Sequence, residues 1–289
     1  MSTSHYKYLC TAAGLLVLAA CGGGGGGGGG GGSSTPDSGT VSFALSDAPV
    51  EGLSEVVITI DSIELRRKGS NDCDADPVTN DCVFIDEFTD GDSESDTLQV
   101  DLLALQDGNN KIVVEDLVLE AGDYDQLRLS VIDEDTNFSW VKEIANGDEL
   151  KELKAPSEEL KLGGFTVESG GVQVFVIEFD LRKAMTYNPG PDRYILKPTG
   201  VRVVDVEAAA TLSGVVDSAL FSGNSTAPCI NKADLNEGNV IYLYQGHDLN
   251  VDLLADNYDI TQDNATKPYT SEKVAVDGSY LISSLPAGD

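Results

Sequence analysis

From residue 41 onward, apolar residues recur at every second position, and clusters of Gly, Asp and Asn interrupt the pattern. Residues 41–45 read Val-Ser-Phe-Ala-Leu. Val56, Ile58 and Ile60 share one face of the next segment, and Val57, Thr59 and Asp61 share the other. Leu127, Leu129 and Val131 alternate with Arg128, Ser130 and Ile132. A period of two is the strand repeat, because successive Cβ atoms point to opposite sides of a pleated sheet. Residues 172–179 form a mostly apolar, β-branched run after the turn signal Ser169-Gly170-Gly171, and 194–206 are strand-rich again. Asp107-Gly108-Asn109-Asn110 and Asn146-Gly147-Asp148 read as turns. Amphipathic helices are scarce; Leu102-Leu103-Ala104-Leu105 fits a single helical turn. The spacing predicts an all-β chain built as a sandwich or a barrel, with a second unit beginning near Thr211.

The first 39 residues follow other rules. A weakly basic start leads to an apolar run over 9–20. A membrane span needs roughly 20 apolar residues, so this run has the length of a secretory leader instead. It ends Leu18-Ala19-Ala20-Cys21, which resembles the lipobox of bacterial lipoproteins. That resemblance implies a signal peptide over 1–20, cleavage before Cys21, and lipid on its thiol and new amine. Two or more acyl chains anchor stably where one is marginal. Residues 22–32 are unbroken glycine, followed by Ser33-Ser34-Thr35-Pro36. Such a tract behaves as flexible coil and buries nothing, so 21–39 reads as a tether. In Gram-negative sorting, Asp after the lipidated Cys retains a lipoprotein at the inner membrane. Gly22 stands there, which implies an exported protein anchored at the outer membrane, with the leaflet left open.

The formal net charge is −31. That field repels nucleic acid, whose binders need a basic face, and favours solubility, cations and basic partners. The expected partners are the membrane, through the lipid, and a glycan or an envelope protein. Of the five cysteines, Cys10 lies in the leader and Cys21 takes lipid. Cys73 and Cys82 flank a polar stretch containing Pro77, and export implies an oxidising compartment, so a local disulfide is expected. No His lies nearby to complete a zinc site. Cys229 is left over.

Catalytic groups are sparse. His247 is the one histidine beyond the leader, in a loop reading Gln245-Gly246-His247-Asp248. No nucleophile elbow, phosphate loop or dinucleotide fingerprint is present. Among 49 acidic residues, close pairs arise by chance, so a glycosidase-like pair has little support. No cofactor is implied, with calcium the one exception these loops allow. Asp72, Asp74 and Asp76 alternate, as do Asp90, Asp92, Glu94 and Asp96, and alternating carboxylates can wrap a hard cation. Pro77 and Val83 stand where an EF-hand needs Gly and Glu, so solvated loops are the competing reading. Trp140, Tyr242 and Tyr244 are candidates for a sugar-stacking platform, with strand packing as the plainer alternative.

Residues 41–206 resemble the family described as a domain of unknown function, DUF4382. The resemblance rests on Leu45-Ser46-Asp47-Ala48-Pro49, the strand over 56–65, and Leu119-Glu120-Ala121-Gly122-Asp123-Tyr124-Asp125-Gln126-Leu127-Arg128-Leu129. Phe179-Asp180-Leu181-Arg182-Lys183 and Tyr194-Ile195-Leu196-Lys197-Pro198 complete it. It implies an exported lipoprotein and assigns no activity. Residues 211–289 resemble carboxypeptidase regulatory-like modules, a prealbumin-type sandwich grouped with carbohydrate-binding-like folds, through Gly-x-Val, Gly-x-Tyr and Leu-Pro-x-Gly spacing. Against that pattern the module stops short of a last strand. The second resemblance implies a prealbumin-type sandwich, and the expected fold is an antiparallel β-sandwich, Ig/prealbumin-like, over 40–207, followed by a smaller β-sandwich module over 208–289. The expected function is a non-enzymatic binding or adhesion module, with carbohydrate as the candidate ligand. A structural or assembly protein of the envelope is the alternative, and a secreted hydrolase ranks last.

Overall fold

The alternating segments pair into two sheets that share one apolar core. The computed structural model describes residues 37–70, 73, 82–90, 93–147, 149–220, 235–236, 238–256 and 264–286. In chain order the first strands are β1 (Ser38–Ala48), β2 (Leu53–Arg67), β3 (Cys82–Ile85), β4 (Phe88–Asp90), β5 (Ser93–Ser95), β6 (Leu98–Asp101) and β7 (Lys111–Glu120). Next come β8 (Gly122–Val131), β9 (Trp140–Glu143), β10 (Leu150–Lys154), β11 (Glu159–Leu162), β12 (Phe165–Val167) and β13 (Val172–Asp180). A single α-helical turn, α1 (Leu181–Ala184), precedes β14 (Met185–Asn188), β15 (Arg193–Leu196) and β16 (Val201–Asp205). The last four are β17 (Ala210–Val215), β18 (Val240–Leu243), β19 (Thr270–Lys273) and β20 (Ser279–Leu285). Among the described residues no helix is long and apolar enough to cross a membrane.

Of the two all-β architectures that the alternation allows, the sandwich is the one that forms. One sheet runs β16-β13-β1-β7; the other runs β11-β8-β2-β9-β10-β15-β14, with β12 on β8 and with β3 and β6 on β2. Most neighbours are antiparallel, but β1 with β13 and β10 with β15 are parallel. Side-chain period does not encode direction, so the alternation alone could not show this. A hint lay in the continuous apolar run of β13, the habit of a strand covered on both faces.

The core follows the register. In β1 and β13, Val41, Phe43, Leu45, Phe175, Ile177 and Phe179 are buried on the inner face. In β2, Val56, Ile58 and Ile60 point inward, and then Ile63 and Leu65 do. That change of phase comes from an irregularity between Ile60 and Ser62 in the pairing with β8. A bulge adds one residue and so moves inward-facing positions from even to odd. Phe43, Phe165, Phe175 and Tyr124 meet between the sheets, with centroid separations of 4.7–5.9 Å. Each such pair adds about 0.5–1.5 kcal/mol beyond area burial.

The outer face of the four-stranded sheet is also covered. Ser42, Ala44, Ser46, Val176, Glu178 and Val204 are buried there, and β19 and β20 pack against β1 and β16. The small residues of β1 let that second layer approach. Pro36–Asp289 accordingly forms one compact unit. Residues 102–105 form the expected turn, as a 3₁₀ helix capped by the Asp101 side chain. A disulfide joins Cys73 to Cys82, with Cα atoms 5.9 Å apart. That separation is within the normal range for the bond.

Candidate functional site

At the end of β13 the chain must leave a strand that is buried on both faces. Asp180 accepts a hydrogen bond from the Lys183 amide at 3.3 Å and so starts α1. Within α1, Leu181 and Ala184 turn to the core. The next turn, Pro198–Gly200, seats against α1, because a Cβ on Gly200 would lie 2.3 Å from the Ala184 nitrogen. The hairpin of β14 and β15 places Tyr187 opposite Tyr194, with ring centroids 5.2 Å apart at 51°.

These elements and residues 50–53 enclose an open groove of about 690 Å³. Its lining includes Glu51, Arg182, Lys183, Tyr187, Tyr194 and Lys197. The volume is in the range of ligand-binding clefts, and the mix of apolar wall and few polar groups is their usual character. Each polar side chain of the lining makes at least one polar contact. Arg182 forms an ion pair with Glu51, donates to the Tyr242 hydroxyl at 2.6 Å, and lies 5.4 Å from the centroid of that ring. Lys183 donates to the Tyr269 carbonyl at 2.7 Å, and Lys197 donates to the Thr186 hydroxyl at 2.8 Å. Burial pushes the Lys183 ammonium down, while Asp180 opposes that shift. Tyr187 donates to Asp192 at 2.6 Å and Tyr194 to Glu143 at 2.5 Å. Lys273 donates to the Val50 carbonyl at 2.8 Å, which fixes the opposite wall. The groove is thus a rigid, cation-lined surface on a chain of opposite net charge.

Beside it lies a closed pocket of carboxyl groups. Asp47, Glu178, Asp180 and Glu272 are all under 9% exposed. Ser46, Asp47, Glu178, Ser271 and Glu272 line a cavity of about 10 Å³, room for about one water. Burial pushes Glu178 and Glu272 up to about 7, and raises Asp47 and Asp180 from the ordinary range. Gln106 donates to Asp47 at 3.0 Å and Arg202 to Glu178 at 2.7 Å, both favouring charge. Desolvation outweighs both contacts, since a charged form in low dielectric loses its hydration.

The residues singled out from the sequence are dispersed. Cys21, Asp72, Asp74, Asp76, Asp92, Cys229 and the Glu94 side chain lie outside the described residues. Asp90 forms an ion pair with Lys111 at 2.7 Å, and Asp96 is exposed. Among the described residues no cluster of three or more His, Cys, Asp or Glu could hold a metal. Trp140 donates its indole N–H to Glu55 at 3.0 Å. Tyr242 and Tyr244 form a tilted pair 6.4 Å apart, and no ring contact joins Trp140 to either. Tyr242 instead braces Arg182 and Asp256 behind the groove. His247 is exposed on its loop. Asp47, one of the residues that carry the family resemblance, is a buried residue of β1.

The groove itself was not singled out, although its parts were visible. Arg182, Lys183, Tyr194 and Lys197 belong to two of the segments that carried the family resemblance, and Val50 and Glu51 follow directly on a third. No protein of known annotation matches the chain. The family described as Domain of unknown function (DUF4382) matches residues 38–198, more than half of the 289 residues. The chain is therefore a member of the DUF4382 family.

Proposed function

We propose that this protein is an exported lipoprotein, held to the outer membrane through Cys21, whose β body recognises a ligand rather than transforming one. The observation that carries the reading is convergence. Three segments that are far apart in the chain, residues 50–53, 182–187 and 194–197, meet at one solvent-open groove of about 690 Å³. A groove assembled from the family's own segments, with a tyrosine pair in its wall, suits recognition of a small ligand such as a glycan. Support for a non-catalytic role comes from the carboxyl pocket next to it. A cavity of about 10 Å³ holds a water and has no space for a substrate between its acids.

In the same proposal, residues beyond 208 are a carboxypeptidase regulatory-like module that braces the groove. Tyr280 stands opposite Gly214 across the β17–β20 pair, where its ring fills the space of the absent side chain. Tyr242 and Tyr269 hold Arg182 and Lys183 from behind. A role in envelope assembly is the second reading. It is favoured by the edge strand β7, where Ile112 is 42% and Val118 67% exposed, because an apolar edge can pair with another chain.

A glycan array probed with the full chain tests the first reading. Saturable binding that Tyr187→Ala abolishes supports recognition at the groove. An array silent across neutral and acidic glycans, together with self-association that Val118→Lys removes, favours assembly.

A further inference from the structure

Acidic residues outnumber Lys and Arg 49 to 18 in this chain, so its cations ordinarily find carboxylates. Arg67 meets Glu120, Lys142 meets Glu55, Lys151 meets Asp192, Lys154 meets Glu134 and Arg202 meets Glu178. Lys183 and Lys197, like Lys273, depart from that rule. Neither forms an ion pair with a described carboxylate. Lys183 donates to a backbone carbonyl and Lys197 to a hydroxyl. An ammonium carries three N–H donors, and each of these contacts uses one. Both lysines line the same groove, and both are only half-buried. In a chain this acidic, two ammonium groups in one cleft with no direct ion pair to a described carboxylate, and only the Asp180 charge acting on Lys183, leave donors for carboxylates from outside.

We propose that the groove binds an acidic saccharide, a short oligosaccharide whose uronate carboxylates sit on Lys183 and Lys197. The inference rests on the groove being the recognition surface. The sugar component follows from the tyrosines. Both phenol hydroxyls are engaged by Asp192 and Glu143, so the rings offer their apolar surface, and Tyr187 is 43% exposed. The C–H face of a pyranose is a matching surface for an aromatic ring. Arg182 stays bound to Glu51 and Tyr242 and shapes the wall between the lysines and residues 50–53. The net charge of −31 opposes any anionic ligand at long range, but at physiological salt charges more than about 8 Å apart are largely screened, so contacts at Lys183 and Lys197 act at shorter range than that field.

The test is isothermal calorimetry on the full chain, with galacturonate, glucuronate and mannuronate trimers and their neutral counterparts as probes. The expected result is saturable binding of a uronate trimer that weakens as salt is raised. Binding falls at least tenfold in Lys183→Gln and in Lys197→Gln, is retained within a few-fold in Lys197→Arg, and is lost in Tyr187→Ala. Circular dichroism and melting of each variant report whether it folds. Equal binding of neutral and uronate trimers, unchanged by the lysine substitutions, overturns the acidic ligand while the groove remains a recognition surface. No heat from any trimer overturns both.

Discussion

Replacing Glu272 by Gln should stabilise the protein at pH 8 and leave it nearly unchanged at pH 4. Glu272 lies in β19, is 7% exposed, and forms no ion pair among the described residues. Burial is the main cause of its raised pKa, about 7 against an ordinary 4.5. The backbone N–H of Lys273 and the Lys273 charge work against that shift, while Asp107 and Glu178 add to it. An acid whose folded pKa exceeds its unfolded one binds more protons when native. Stability therefore falls as pH rises from about 4.5 to about 7 and is level beyond. The full shift corresponds to about 3.4 kcal/mol at 1.36 kcal/mol per unit. Partial solvent screening brings the expected value to about 2 kcal/mol. For a domain of this size that is a melting shift of roughly 4–8 °C. Thermal melts of wild type and Glu272→Gln at pH 8, 6 and 4 check it. The advantage of the variant over the wild type should shrink on acidification, from the full shift at pH 8 to nearly none at pH 4. A variant that is less stable by the same amount at every pH would refute the burial argument, because a lost hydrogen bond would then dominate.

Other outcomes follow from the packing. Gly200→Ala forces a Cβ to within 2.3 Å of the Ala184 nitrogen; it should cost about 1–3 kcal/mol by overpacking, and should weaken groove binding by displacing α1, as denaturant melts and calorimetry would show. Phe175→Ala removes a ring packed on Phe43 and Phe165 and should cost about 3–5 kcal/mol in urea unfolding. Cys73→Ser opens the loop closed by Cys82, nine residues away, and should lower stability by roughly 2–3 kcal/mol with no effect on the groove. Mass spectrometry of the mature protein should find a diacylated and N-acylated residue 21; an unmodified N-terminus would remove the envelope anchor from the proposal.

The alternation in β2 and β8 was legible because each strand buries one face more deeply than the other. Val56, Ile58 and Ile60, and Leu127, Leu129 and Val131, are all inward as their spacing requires. The phase change after Ile60 was not legible, since a bulge leaves no residue signature as strong as a glycine or proline. Strand direction was hidden for the same kind of reason. β1 and β13 lie side by side in parallel only because of connections more than a hundred residues long. The buried acids were obscured by number. Glu178 and Asp180 are two of 49 acidic residues, and the one clue was their place inside an otherwise apolar strand. The groove was hidden by distance along the chain. Lys183 and Tyr194 carried the resemblance as separate segments, and only the β14–β15 hairpin and α1 bring them together. Attention went instead to Trp140, Tyr242 and Tyr244, because aromatic side chains are conspicuous in a sequence with one Trp and ten Tyr.

The central claim is that the DUF4382 segments build a ligand site, and two-dimensional NMR tests it most directly. Amide and lysine side-chain resonances would be followed as a uronate trimer is added to the full chain. The account predicts shifts confined to residues 50–53, 182–187 and 194–197, saturating together with one dissociation constant. Shifts scattered over the surface, or centred on Trp140 or on the edge strand β7, would contradict it.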